Sequence, residues 1–528
     1  MKKQLLLGAI GLALCAAPLW AEETVVPRFD INRIQLEGNT VLPAPEVAAI
    51  LKKYTGPQKD FGTLQEAMDE LESAYRGRGY TLVTVILPEQ ELERGTVVMN
   101  VIEPVVSEIL VEGNRHYSRD NILNALPTLK VGVPPRVAAI SENLRAANEN
   151  PGRKLTLQFR AEEKETELKA QVQVQDQKPW KVALSGDNTG STQSGYYRTG
   201  LTLQHANLWD RDHVATLQYT TSPDHVEKVK IISGAYRIPL YGLGDTIDLF
   251  GGYSDVDNGK IADVISGGKG IVSGVRYNLM LPRIGAYEQK LILGFDYRFY
   301  DNTLKLGATD FNLLAPDHVV HPFSIAYGGS WSSDIFAFEG SLGVVHNEPW
   351  GGQGTRDYYA QAFQVSRPDT VVDYWAFRYG FNKLIYLPND WLLRSFGSGQ
   401  YTPDRLIPGE QLGLGGANSV RGYEEREESW DAGFSGSIEL YTPDMARLLA
   451  VPRTQFRLAG FFDGGVGYNL RAKPGELESN SLTSAGVGFR LGIGDLFSFS
   501  LDWGHALDNS SNTRRGGNAV HFKGALVY

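Results

Sequence analysis

A large transmembrane antiparallel β-barrel preceded by two small α+β domains is the fold this sequence predicts, and three observations carry it. Residues 180–528 alternate polar and apolar positions between Gly, Asn, Asp and Pro turns for 349 residues, the period of strands whose two faces meet different surroundings. Residues 28–179 hold an internal repeat: Ile34-Gln-Leu-Glu37-Gly38-Asn39 returns 75 residues later as Ile109-Leu-Val-Glu112-Gly113-Asn114. The alternating region is interrupted by a Gly-rich stretch, Leu412–Tyr423, with a single Arg at 421. Glycine permits tight turns there, and the Arg is a permanent cation that such a loop can aim at a partner.

Composition narrows the function classes. The 528 residues carry a net charge of −10, which argues against a nucleic-acid partner, since phosphate contacts need basic patches. Residues 1–21 read as a secretory signal peptide: Lys2 and Lys3, an apolar run from Leu5 to Ala17, then Leu19-Trp20-Ala21 as a cleavage site. The only cysteine, Cys15, lies inside it behind Leu14, which is too large for a lipoprotein site. The mature chain is therefore expected to have no disulfide framework and no thiol chemistry. No later stretch has the roughly 18 continuous apolar residues of a membrane helix. A mean hydropathy of −0.24 is compatible with a barrel, whose walls alternate lipid-facing and lumen-facing side chains. The 25 Tyr and 9 Trp are available for aromatic girdles.

Each repeat opens as a short strand stopped by Gly-Asn, a turn signal. In the first copy, helical patterns cover Pro45–Tyr54 and a segment with Leu64, Met68, Leu71 and Tyr75 at helical spacing. Gly77-Arg-Gly79 ends the second helix, and strands follow at Thr81–Leu87 and Thr96–Glu103. In the second copy, helices are expected at Arg119–Leu126 and Val137–Asn148, then strands at Lys154–Arg160 and Thr166–Gln175.

The barrel segments show the parity expected of a wall. Ser498-Phe-Ser-Leu-Asp-Trp503 puts Phe499, Leu501 and Trp503 on one face and Ser498, Ser500 and Asp502 on the other. Gln455-Phe-Arg-Leu-Ala-Gly-Phe-Phe-Asp-Gly-Gly465 puts Phe461, Asp463 and Gly465 together, opposite Phe456, Leu458 and Phe462. A carboxylate facing lipid is costly, so Asp463 is assigned to the lumen. The last segment turns Val520, Phe522, Leu526 and Tyr528 outward.

Taken together, the motifs resemble the two-partner secretion transporters of the outer membrane, related to haemolysin activators. The strand–helix–helix–strand–strand repeat is similar to the POTRA domain, and Val420-Arg421-Gly422-Tyr423 resembles the family's signature loop. Asp187-Asn188-Thr-Gly190-Ser191, Gly195, Arg198, Gly200 and Asn207–Asp212 look like its first two wall strands, and Ala147-Asn-Glu-Asn-Pro151 fits its second POTRA unit. The resemblance implies sixteen strands and an ion pair between Arg421 at the loop tip and Asp463 of the Phe461-x-Asp463-x-Gly465 motif, Gly465 leaving room for the tip. It implies that Phe522 and Tyr528 form a C-terminal signal read by the barrel assembly machinery. The domains expected are residues 1–21 signal peptide, 22–27 a short segment, 28–104 and 105–179 POTRA-like, and 180–528 barrel. One departure stands out: many relatives have an N-terminal plug helix, and six residues at 1.5 Å rise each cannot span a pore.

The function implied is export of a secreted partner protein, a β-helical adhesin or cytolysin with an N-terminal recognition domain. It passes the outer membrane through the barrel without nucleotide, while periplasmic POTRA domains, whose mixed sheets leave an open edge, bind it extended. The alternative is an insertase assembling other barrels, whose relatives usually carry three or more POTRA domains. A porin has no use for the repeat. An enzyme is not expected: Gly433-Phe-Ser-Gly-Ser437 fails the Gly-x-Ser-x-Gly pattern, and there is no Gly-x-x-x-x-Gly-Lys phosphate loop. No cofactor or metal is expected; His318 and His321 read as a Pro-flanked surface loop without a carboxylate at ligand spacing. Glu424-Glu-Arg-Glu-Glu428 reads as a solvated loop flank.

Overall fold

The computed structural model describes residues 27–528 apart from 92–94, 192–193, 262–263, 303, 307–308, 311–315 and 447–451. The signal sequence, Cys15 and residues 22–26 of the short segment lie outside the described residues. The backbone forms two compact units. One contains the residues through Glu108 with Lys130–Ala139 and Arg160–Lys169, and the other contains Ile109–Leu129, Ile140–Phe159 and Ala170–Tyr528.

The first repeat contains β1 (Phe29–Ile31), β2 (Arg33–Glu37), α1 (Ala44–Leu51), β3 (Gly56–Lys59), α2 (Phe61–Gly77), β4 (Thr84–Ile86) and β5 (Thr96–Ile102). Helix α2 starts where the Asp60 carboxylate accepts from the Thr63 N–H at 2.9 Å, an N-cap that satisfies one orphan donor. Its Leu64, Ala67, Leu71 and Tyr75 are buried against the sheet. The sheet order is β2-β5-β4, with β2 parallel and β4 antiparallel to β5. β4 is shorter than the expected Thr81–Leu87, and the Val85 N–H donates to Glu72 of α2 at 3.0 Å. The pairing of β1 with β3 has no sequence signal, because Gly56-Pro-Gln-Lys59 does not alternate.

The second repeat contains β6 (Val105–Glu112), α3 (Arg119–Asn124), α4 (Val137–Ala147), β7 (Arg153–Ala161) and β8 (Glu167–Asp176), with sheet order β6-β8-β7. The structure gives the physical reason for the repeated Gly-Asn. Gly38 and Gly113 have φ of 82° and 88°, and a Cβ on either would stand 2.4 Å from a strand carbonyl, that of Val101 or Val174. Glu103 then accepts from the Thr40 and Val41 N–H groups at 2.9 and 3.2 Å, and Asp176 accepts from Arg115 and His116, both at 2.7 Å. The Tyr75 hydroxyl, 2.7 Å from Glu103, has its pKa pushed up by burial and by that carboxylate.

Sixteen antiparallel strands close the barrel, from Trp180–Asp187 round to Asn518–Val527. The last pairs with the first from Lys523↔Asp187 to Val527↔Ala183. The terminal residue completes that seam: Val182 and Tyr528 exchange backbone hydrogen bonds of 2.9 and 2.8 Å. No helix among the described residues is long and apolar enough to cross a membrane. Parity sorts the wall: Leu458, Phe462, Trp503, Val520 and Leu526 are exposed on the outside, while Ser437, Glu439, Asp463 and Asp502 are buried inside.

The histidines differ from expectation. His318 lies in the short strand His318–Val320 and His321 directly after it, and both are buried. The reason is the connection 348–374, whose helix α5 (Arg356–Ala362) folds over them. His318 stacks on Tyr300 at 4.8 Å and meets Phe363 edge-on, and His321 packs against Trp350. They are parts of an aromatic core, and no group of metal-ligating side chains forms among the described residues.

Candidate functional site

The Gly-rich stretch belongs to a 30-residue connection, 402–431, between wall strands Leu392–Tyr401 and Ala432–Tyr441. It does not stand out in solvent. A hairpin of Leu412–Leu414 with Glu428–Trp430 carries Leu414, Val420, Tyr423 and Trp430 into a buried apolar cluster with the wall residues Leu482 and Ala506. Ser419 lies between them at the tip. The loop therefore lies in the barrel lumen, with its apolar side chains against the wall.

That packing places Arg421 against three wall strands. Its Nε and Nη2 donate to the two carboxylate oxygens of Asp463 at 2.8 and 2.7 Å, and its backbone N–H donates to the same group at 3.0 Å. Such a planar fork fixes direction as well as adding attraction. Nη2 also donates to Ser437 Oγ at 2.9 Å. Nη1 meets Glu439 at 2.7 Å and Asp502 at 3.4 Å. The guanidinium stacks 3.5 Å from the centroid of the Phe461 ring, the arrangement of a cation–π contact. Arg421 is 3% exposed and Asp463 0%, so this pair sits in the buried regime, where losing one partner is costly.

The remaining motif residues surround the pair. The Tyr423 hydroxyl is 2.9 Å from the Thr483 carbonyl and accepts from the Asp508 N–H at 3.1 Å. Val420 fills the space over Gly465, where an added Cβ would stand 3.0 Å from Val420 Cγ2. Gly422 has φ +97°, and its N–H donates to His521 Nε2 at 3.4 Å. Phe522 and Tyr528 take no part in the site: they face outward on the last strand, Phe522 near Phe499 and Tyr197.

Three features of the site were not anticipated. In the run Glu424–Glu428, Glu424 and Arg426 are exposed as expected, but Glu425, Glu427 and Glu428 are not a solvated flank. Glu427 accepts from Ser510, from the Asn512 and Thr513 N–H groups at 2.8 and 2.6 Å and from the Thr513 hydroxyl at 2.7 Å. Glu425 accepts from the Ala417 N–H at 2.6 Å, and Glu428 accepts from Asn480 at 2.6 Å. The acids close the loop on itself and on connection 507–517, satisfying backbone donors that the turn leaves free. The second feature is Gly504. A Cβ there would stand 2.6 Å from the Gly422 nitrogen and 2.8 Å from the Arg421 carbonyl carbon, so the wall has no side chain where the tip crosses it. Its only signal in sequence is a glycine at lumenal parity beside Trp503. The third is a second set of charges, Glu410, Arg298, Arg378, Arg367 and Asp431, each too far apart in sequence to be paired by spacing.

Two other motif stretches meet at the opposite end of the barrel. The turn Leu208–His213 has φ of 62°, 52° and 60° at Trp209, Asp210 and Asp212. The buried Arg153 forms an ion pair with Asp212, which also accepts from the Tyr241 hydroxyl at 2.6 Å and from Asn121 at 3.0 Å. Asn150 donates to the Ala206 carbonyl at 2.7 Å. Arg153→Ala is expected to destabilise this junction by up to about 3–5 kcal/mol, the cost of a buried pair losing one partner. The check is a lower melting temperature of the detergent-solubilised protein, with Arg153→Lys between the two.

A closed barrel of sixteen strands, a preceding POTRA domain and an Arg-bearing loop folded into the lumen define an outer-membrane protein transporter, with the POTRA domain in the periplasm. The chain belongs to the haemolysin secretion/activation protein family ShlB/FhaC/HecB, whose model matches residues 167–491, and a ShlB-type POTRA model matches residues 29–104. It is an outer-membrane transporter of the two-partner secretion kind. The heme/hemopexin transporter protein HuxB of Haemophilus influenzae is 22% identical over 92% of this chain and 85% of its own. The outer-membrane transporter CdiB of Escherichia coli is 24% identical over 80% of this chain and 70% of its own. The solved structure of CdiB from Escherichia coli superposes with a TM-score of 0.79 at 19% identity, covering 97% of this chain and 93% of that one. CdiB from Acinetobacter baumannii gives 0.71 at 16% identity, with 97% and 93% covered.

Proposed function

We propose that this transporter exports one dedicated partner protein, a large β-helical adhesin or cytolysin with an N-terminal recognition domain, and that the Arg421 loop governs its passage. The cargo enters extended from the periplasm and folds outside the cell, and folding there supplies direction without nucleotide. The single observation that carries this is the lumenal loop, buried against the wall and fastened by Arg421 to Asp463. A loop so placed must be passed by anything that uses the barrel.

Residues 28–104 and 105–179 are read as two POTRA domains that receive the cargo, and residues 1–21 as the signal peptide that sends the chain to the periplasm. In support, the sheets β2-β5-β4 and β6-β8-β7 each end in edge strands, the kind of element that an extended segment can join. The outward Phe522 and Tyr528 are read as the signal used by the barrel assembly machinery, and the apolar outer wall as the surface that outer-membrane lipid covers. No nucleic acid and no catalytic step enter this reading.

The test is secretion of the partner by cells expressing truncated transporters. Deletion of 28–104 or of 105–179 is expected to abolish export while the barrel still inserts. Purified residues 22–179 are expected to bind the amino-terminal segment of the cargo in calorimetry. Full secretion by a barrel-only chain would sink the cargo-binding role.

A further inference from the structure

Arg421 fastens one part of the lumenal loop, and a charge of opposite sign fastens another. Glu410 ends the short 3₁₀ turn Pro408–Glu410, and its side chain has no exposed surface. One carboxylate oxygen accepts from Arg298 at 2.7 Å and from the Tyr300 hydroxyl at 2.9 Å; the other accepts from Arg378 at 2.9 Å. Its backbone carbonyl accepts from Gln400 at 3.0 Å, and the same amide donates to the Asp431 carbonyl, also at 3.0 Å, which ties the two ends of the loop together.

The two fastenings use different arcs of the wall. Arg298 and Tyr300 stand on strand Tyr287–Asp301 and Arg378 on Trp375–Tyr386, whereas the acceptors of Arg421 stand on Ala432–Tyr441, Thr454–Tyr468 and Phe497–Ala506. Each arc holds charges of both signs, but the groups that receive the loop's acid are guanidiniums in the first and those that receive its base are carboxylates in the second. Sliding the loop toward either arc would set Glu410 against carboxylates or Arg421 against guanidiniums, and like charges at such separations repel. Opposite-sign anchors therefore specify one placement, the best-attested use of buried ion pairs. The first arc does not need Glu410 for its own pairing: Arg298 keeps Asp296 at 2.7 Å and Arg378 keeps Gln400 at 2.8 Å.

We propose that Glu410 is a positioning residue for export: with Arg421 it strings the loop between two wall sites of opposite charge and so sets the lumen left to the cargo. This rests on the reading of the loop as the element that governs passage. Once Glu410 is neutralised, the loop stays held at Arg421 while its other half is free to drift into the pore.

The experiment uses the full chain, with Glu410→Gln, Glu410→Arg and the pair Glu410→Arg/Arg378→Glu. Each is scored for folded-barrel mobility on unheated gels, conductance in planar bilayers and export of the partner protein. For Glu410→Gln the expected result is wild-type mobility, an altered and noisier conductance, and export reduced about tenfold, as an unpinned population would give. Glu410→Arg should be worse, and the reciprocal pair should recover part of the export. Wild-type export and conductance in Glu410→Gln would overturn the proposal. Loss of the folded barrel in that variant would overturn it too, by making the residue structural. Should Glu410→Gln impair export while Arg421→Ala does not, the Arg421 reading fails and the role of Glu410 stands.

Discussion

Arg421→Ala is expected to leave a folded, membrane-inserted barrel and to cut export by roughly two orders of magnitude or more. The barrel is held by its interstrand hydrogen bonds and outward apolar side chains, and neither depends on the loop. The loop does depend on Arg421. Glu439 would keep Arg394 at 3.5 Å and Arg490 at 3.9 Å, and Asp502 would keep Arg490 at 2.9 Å. Asp463, fully buried, would be left with only the backbone N–H of residue 421 among its described partners. Removing one member of such a pair costs about 3–5 kcal/mol, and every 1.4 kcal/mol is about tenfold in a population. Arg421→Lys should rescue poorly, since an ammonium keeps the charge but loses both the fork and the flat stack on Phe461. The decisive measurement is a double-mutant cycle on export rate. If Arg421→Ala and Asp463→Ala act as a pair, the double variant is no worse than the Arg421 single. Two losses that simply add would refute the pairing.

Gly504→Val is expected to expel the loop tip without touching any charge. The added Cβ would stand within van der Waals exclusion of the Gly422 nitrogen and the Arg421 carbonyl carbon, both backbone atoms that no rotamer can move. The wall strand tolerates the change better than the loop, because Val suits strands and Gly504 keeps its ladder position opposite Gly486. The expected result is wild-type mobility on unheated gels, increased protease cleavage within 415–428, and export as low as in Arg421→Ala. Gly460→Val serves as the control: it lies on the Phe461 strand, two strands away, with nothing within 4 Å of an added Cβ, and it should export normally. Equal behaviour of the two variants would mean that the tip does not rest where the structure puts it.

How much of this was legible beforehand follows the range of the interactions. Period-2 parity, a local property, placed Asp463 inside and Phe462 outside, because a strand turns successive side chains to opposite faces. The 75-residue repeat is a local signal too, and the Gly-Asn step in each copy proved to be forced by a strand carbonyl that leaves no room for a Cβ. Arg421 and Asp463 could be brought together only through resemblance to a family motif, since no spacing rule links residues 42 apart.

Other features had no local trace. Glu410 meets Arg298 across 112 positions, and nothing in Pro408-Gly-Glu410 distinguishes a buried anchor from a solvated turn. His318, His321 and the acids at 424–428 read as surface residues because their sequences are polar and turn-rich. The histidines are buried because connection 348–374 folds over them, and Glu425, Glu427 and Glu428 are drawn in because connection 402–431 folds against the wall and against 507–517. The sequence by itself determined the barrel, its parity, the repeat and the cation at 421. The tertiary structure decided which wall charges face that cation, where a missing side chain admits the loop, and which second charge holds it. Strand faces are set by neighbours one and two residues away, whereas a lumenal loop takes its partners from whichever strands the closed barrel brings within reach.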